Sequence, residues 1–181
     1  MPLILRNTET SYGAVARALH WTVAIFVIVA LVLIETRGFF PRGAPERTSF
    51  TNWHYQLGLA TLLLLCVRLP WRAFEREPGI VPPIARWEWL GSHAVQAAFY
   101  LLLALLPPLG LATAQAQGHD VAFLGIALPK LVATSKPLAH LLQDVHEYLG
   151  DAMIALICLH VSASLWHQLV RRDNTLRRMV G

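Results

Sequence analysis

The stretch DVHEYLGDAMIALICLHVSASLWHQL, residues 144–169, restricts the fold more than any other part of the chain. His146, Met153, His160 and His167 recur every seven residues, which on an α-helix brings them to one edge. Fourteen residues separate His146 from His160, so at about 1.5 Å per residue their imidazoles stand roughly 21 Å apart along the axis, on nearly the same face. Apart from Glu147 and Asp151, everything between them is apolar or small. One helix therefore offers two imidazoles at two depths of an apolar environment.

That environment is a membrane. Hydrophobic residues make up 55% of the 181 and charged residues 14%, where soluble domains carry roughly a quarter charged. Three more apolar runs precede the histidine helix, and the four together predict an all-α, integral membrane four-helix bundle forming a single domain over 1–181. The spans are expected at about 12–35, 52–69, 90–114 and 138–169, because about 20 residues cross roughly 30 Å of hydrocarbon. The first run ends in LIETRGFF without a small-residue cleavage site, so it reads as a retained span and not as a secretory signal. Residues 36–51 and 70–88, with their prolines and glycines, read as loops. Pro107-Pro108 should kink the third helix or end its regular part early. The fourth, near 48 Å long at about 1.5 Å per residue, should protrude from the bilayer.

The net charge of +4 is distributed as topology and not as a nucleic-acid surface. Ten basic residues fall on the side of the two termini and the second loop, from Arg6 and Arg17 through Arg68, Arg72, Arg76 and Arg86 to Arg171, Arg172, Arg177 and Arg178. Five fall on the other side: Arg37, Arg42, Arg47, Lys130 and Lys136. The positive-inside rule puts both termini in the cytoplasm. Trp21, Trp53, Trp71, Trp87 and Trp89 fit an interfacial belt. Cys66 and Cys158, both within apolar runs, form neither a disulfide framework nor a zinc site, and no C-x-x-C-H haem attachment occurs.

In this topology the histidines pair by depth. His20 begins the first helix on the cytoplasmic side and His54 begins the second on the other, while the fourth helix carries His146 outward and His160 inward. His20 therefore pairs with His160, and His54 with His146. Intramembrane ionisable groups are costly and usually functional, and two imidazoles on opposite sides of a plane hold b-type haem with no open coordination position. Gly58, one turn after His54, leaves room for something flat beside that ring. Helix-to-helix hydrogen bonding, a proton relay or a transition-metal carrier are the alternatives, although helices one to three offer almost no carboxylate or thiolate cluster to serve a metal. Met153, between the two histidines of helix four, reads as packing. His119 and His140 read as solvated or interfacial.

The residues ARALHW at 16–21, ETRGFFPR at 35–42, NWH at 52–54, VHE at 145–147, CLH at 158–160 and RRDNTLRRM at 171–179 resemble the bacterial cytochrome b561 family across nearly the whole chain. The resemblance is to its superoxide oxidase members in particular, which are superoxide:ubiquinone oxidoreductases of the inner membrane. It implies two b haems with axial ligands His20, His54, His146 and His160, superoxide as periplasmic electron donor and ubiquinone as acceptor. Lipid, superoxide and ubiquinone are then the partners, with no nucleic acid and no required protein. On the same footing Arg37, Arg42 and Lys130 are candidates to steer superoxide, as are the loop cations Arg47 and Lys136. Arg17 is a candidate to hold a haem propionate, and His93 and His167 to serve the quinone. Cytochrome b subunits of hydrogenases and formate dehydrogenases share this pattern and link a peripheral dehydrogenase to the quinone pool. A haem-free transport or structural bundle is the third class.

Overall fold

The computed structural model describes residues 4–180. Four long helices dominate it, and each is long and apolar enough to cross a membrane. Helix α1 spans Ala14–Thr36 and passes directly into a 3-10 turn at Arg37–Phe39. Helix α2 spans Pro45–Phe74, α3 spans Arg86–Ala116, and α4 spans Lys136–Trp166 before a π-helical turn at His167–Arg171. Two-residue strands β1 (Ala122–Phe123) and β2 (Ile126–Ala127) form an antiparallel hairpin between α3 and α4, and a short α5 (Arg177–Val180) closes the chain.

The helix boundaries differ from the sequence expectation in ways with clear causes. Helix α2 starts at Pro45, well before residue 52, because proline at the first helical position has its φ preset and gives up an N–H that would have no partner there. Glu46 in the same turn favours the helix dipole. The loop between α1 and α2 is correspondingly short, and His54 lies more than two turns inside its helix. At the other end α2 runs through Pro70 to Phe74. Helix α3 likewise continues through Pro107-Pro108 to Ala116 and is not cut short there. In a membrane such breaks are tolerated where neighbouring helices enclose the freed carbonyls. The hairpin was not legible in the pattern either; its turn places Leu124 (φ 50°) and Gly125 (φ 83°) both at positive φ, as a two-residue hairpin turn requires.

Packing runs in chain order. Helix α1 lies on α2, α2 on α3 and α3 on α4, whereas α4 makes only sparse backbone approach to α1 and α2. A slot is left between them. Val23, Leu65, Leu102, Leu103 and Met153, contributed by all four helices, form the buried core, and Met153 is the most enclosed large side chain at 1% exposure. Outside, Ile25, Ile28, Val32, Leu63, Val67, Leu101, Leu105 and Leu159 are exposed, which only an apolar solvent accommodates.

At one end the N-terminal segment, the α2–α3 loop and the C-terminal tail are knitted together. Arg6 Nε donates to Glu75 at 2.7 Å, the Asn7 N–H to the same carboxylate at 3.0 Å, and the Gly79 N–H to the Glu9 carbonyl at 2.8 Å. The Tyr12 N–H donates to the Arg178 carbonyl, and Asn174 bonds the backbone of Val81 and Gly79. Gly13 is buried here, and a Cβ in its place would collide with the backbone of Leu5 and Arg6.

Hydrogen bonds from Arg6 and Asn7 hold the Glu75 carboxyl below its usual range. Burial acts to raise the Asp173 carboxyl, but hydrogen bonds from Thr175 and His167 prevail and hold it low as well. Depressed carboxyls contribute stability that is complete above the usual carboxylate range and is lost as pH falls through their folded values. Exchange protection of residues 4–13 and 172–180, corrected for intrinsic rates, should therefore fall on acidification below about pH 4, while the helix centres stay protected. Unchanged protection down to about pH 2 would show that these carboxylates do not secure the braid.

Candidate haem-binding sites

Across the slot, two pairs of imidazoles face one another. The rings of His54 on α2 and His146 on α4 have centres 6.1 Å apart at an interplanar angle of 85°. Those of His20 on α1 and His160 on α4 are 6.4 Å apart at 62°. An imidazole nitrogen sits about 1.1 Å from its ring centre and bonds a metal at about 2.0–2.1 Å, so two rings joined through one metal ion have centres about 6 Å apart. Both separations match that span. Among the described residues no group of three or more His, Cys, Asp or Glu could hold a metal ion, so each pair suits a metal that brings its own equatorial ligands, as haem iron does.

The pair that includes His54 opens on a cavity of about 780 Å³. Gly58 and Gly150 line it, and a Cβ at either would meet nothing within 4 Å. A flat group has room there. His54 Nδ1 is 2.9 Å from the Ala30 carbonyl oxygen; a carbonyl only accepts, so Nδ1 carries the hydrogen and Nε2 keeps its lone pair for a metal. Facing it, His146 has a buried Nδ1 with no hydrogen-bond partner among the described residues. Its ring lies against Gly110, where a Cβ would come within 2.9 Å of Cε1. Gly110 is thus required by the approach of α3 to the imidazole, not by its backbone angles.

Above this cavity the α3–α4 connection is pinned by two glutamines. Gln56 accepts from the Leu124 N–H at 2.9 Å and donates to the Ala122 carbonyl, and buried Gln115 makes the same two kinds of bond to Leu131 and Pro129. Val121, buried beside the first of these contacts, contributes to the cavity lining.

At the other pair the surroundings are polar. Arg68 on α2 brings Nη2 to 3.0 Å from His20 Nδ1, Nε to 3.4 Å from the Tyr100 hydroxyl and Nη1 to 3.5 Å from the Leu19 carbonyl oxygen. Both Arg68 and Arg72 lie over the Tyr100 ring, 5.9 and 5.7 Å from its centre. Phe99 packs edge-on to His160 at 5.4 Å.

The remaining expected site residues are dispersed. Arg37 lines the cavity beside His54, placed there by the 3-10 turn that prolongs α1. Arg42, just past Pro41, is exposed and does not line it. Lys130 is paired with Asp120 at 3.0 Å, and Arg47 donates to the Phe40 carbonyl. The charged lining of the cavity is Arg37 together with Glu35, Glu147 and Asp151, so the expected cationic funnel of Arg37, Arg42 and Lys130 is reduced to one guanidinium among three carboxylates. Arg17 donates to the Val180 carbonyl at 3.2 Å and so is engaged by the C-terminal tail. Arg68, which sequence reasoning counted only toward topology, stands beside His20 instead. His93 stacks on Trp89 with ring centres 4.0 Å apart and lies 3.8 Å from Glu77. His167, in the π-helical turn, has Nδ1 2.6 Å from Asp173 Oδ2, a carboxylate whose side chain is 1% exposed. Arg68 carries no sequence signal beyond its residue type, and Asp173 lies within the RRDNTLRRM stretch without a role assigned to it from the sequence.

A membrane-spanning bundle with paired imidazoles across an open slot defines a b-type cytochrome. The chain matches the prokaryotic cytochrome b561 family over residues 11–181. It is 30% identical to cytochrome b561 homolog 1 of Escherichia coli over 162 residues, covering 90% of this chain and 92% of that one. To the probable superoxide oxidase CybB of Yersinia pestis it is 32% identical over 173 residues, 93% and 95% of the two chains. Cytochrome b561 homolog 2 of Escherichia coli is 28% identical over 97% of this chain and 94% of its own length. The chain belongs to the prokaryotic cytochrome b561 family, whose members bind haem b.

Substitutions at the three glycines separate the roles argued for them. Gly110→Ala should destabilise the protein by about 1–3 kcal/mol, because His146 must give way. Gly58→Ala and Gly150→Ala should cost little in haem-free protein and should weaken haem retention, since they fill the room beside the rings. Thermal unfolding of each variant with and without added haem makes the comparison; equal behaviour of all three would contradict it.

Proposed function

We propose that this protein is a di-haem electron carrier that takes electrons from superoxide on the periplasmic side of the bacterial inner membrane and passes them to ubiquinone, as a single domain with both termini cytoplasmic. The observation that carries the reading is the recurrence, at two depths on α4, of an imidazole facing another across about the span of one metal. His54 and His146 would hold the outer haem, and His20 and His160 the inner. Haem held by these histidines would supply single-electron exchange and little oxygen-binding chemistry.

The chain's own residues fix what surrounds that exchange. The Ala30 carbonyl sets the tautomer and orientation of His54. Arg37 is the cation at the outer cavity able to attract a small anion. On the other side His167, oriented by Asp173, and His93, beside Glu77, carry exchangeable protons where a quinone taking up two electrons must also take up two protons. The knitting of both termini to the α2–α3 loop supports their lying on one side, and the ten basic residues there support that side being cytoplasmic. The superoxide assignment itself draws on the likeness to the probable superoxide oxidase of Yersinia pestis.

A second reading, an electron-transfer subunit between a peripheral dehydrogenase or hydrogenase and the quinone pool, is favoured by the three carboxylates lining the outer cavity, which repel an anion.

Haem content and donor decide the matter. Pyridine haemochrome analysis should give two b haems per chain. His20→Ala and His160→Ala should perturb one absorption band set, and His54→Ala and His146→Ala the other. Superoxide generated beside the isolated protein should reduce it rapidly, with a rate that falls several-fold in Arg37→Gln. Slow reduction of a two-haem protein, with co-purification of an iron–sulfur partner, would favour the second reading, and a colourless protein would end both.

A further inference from the structure

Among the described residues, Arg68 is the one guanidinium within hydrogen-bond distance of a paired histidine. It is half-buried near the inner end of α2, and none of the ion pairs among the described residues includes it. Charges at this depth are costly unless matched by an opposite charge. Its present partners are a phenol, a carbonyl and an imidazole nitrogen, all uncharged.

The contact with His20 is also incompatible with metal ligation. A guanidinium can only donate, so Nδ1 of His20 accepts from it. If a metal takes Nδ1, the guanidinium is displaced outright. If a metal takes Nε2, the ring hydrogen moves to Nδ1, and two donors then face each other. Either way, loading the inner site releases Arg68 from His20. No such conflict exists at the outer site, where His54 Nδ1 already donates to a carbonyl.

We propose that Arg68 is a positioning residue for the inner haem: on release from His20 it holds a carboxylate on that haem's edge, and its charge makes the inner site the more easily reduced of the two. This rests on the di-haem reading above. Reduction adds one negative charge, which a nearby cation stabilises and nearby carboxylates oppose. Arg68 stands at the inner pair, with Arg72 behind Tyr100, while Glu35, Glu147 and Asp151 line the outer cavity against Arg37. An electron lost by a haem at the outer site and gained by one at the inner would, with this charge arrangement, run downhill toward the quinone side.

The test is a spectroscopic redox titration of purified Arg68→Gln and Arg68→Lys beside the wild type, with haem counted in each. The higher-potential component should be the one missing from His20→Ala. In Arg68→Gln its reduction equilibrium should fall by about tenfold or more, the lower component staying in place. Arg68→Lys should retain most of the wild-type value. Loss of one haem from Arg68→Gln but not from Arg68→Lys equally supports the anchoring role. Two haems with unmoved components in Arg68→Gln, or equal loss of haem from both variants, overturns it. A wild type holding a single haem removes the di-haem reading and the Arg68 role together, whereas the preceding outcomes remove only the latter.

Discussion

The structure depends on a gap that its own helices do not fill. In lipid there is no hydrophobic gain from bringing one apolar helix against another, and association rests on close packing and on polar contacts. Helices α1 to α4 pack each on the next, but α4 does not close tightly on α1 and α2, and the imidazoles stand where that closure would occur. A metal-length separation at two levels, with the sealed core around Met153 between them, makes the gap a pair of candidate sites. Gly58 on α2 and Gly150 on α4 leave room in it, and Gly110 lets α3 press against His146.

The two levels are built from different materials. The level of His54 and His146 is a roomy cavity under a hairpin held by glutamine side chains, and the orientation of His54 is fixed by a backbone carbonyl. The level of His20 and His160 is cationic, with guanidinium groups stacked about Tyr100 and the braided chain ends beneath. Such a difference suits the proposed entry of electrons at one level and their proton-coupled exit at the other.

Much of this was legible in the sequence because membrane helices announce themselves by length and apolarity. Four runs and a seven-residue histidine spacing were enough to place His20 opposite His160 and His54 opposite His146, and the structure brings those rings within 6.4 and 6.1 Å. What the pattern missed lies at the helix ends. Polar residues from Pro45 to Thr51 read as loop because hydropathy cannot distinguish a helix in the headgroup region from a loop there. Pro70 and Pro107-Pro108 read as breaks because the cost of proline is judged against water, while in the bundle the helices continue past them. Arg68 was counted as a topological charge and Arg17 as the ligand partner, since spacing along α1 says nothing of which arginine a neighbouring helix brings across. The pairing of Lys130 with Asp120 is likewise a contact that charge counting cannot see.

The braid beside His20 has a mechanical consequence. Tyr12 and Arg17 are held by the backbone of Arg178 and Val180, so α1 cannot tilt away from the bundle without breaking its contacts to the C-terminal tail. A load on either segment is shared by both, and His20, one turn beyond Arg17, keeps its place relative to the tail.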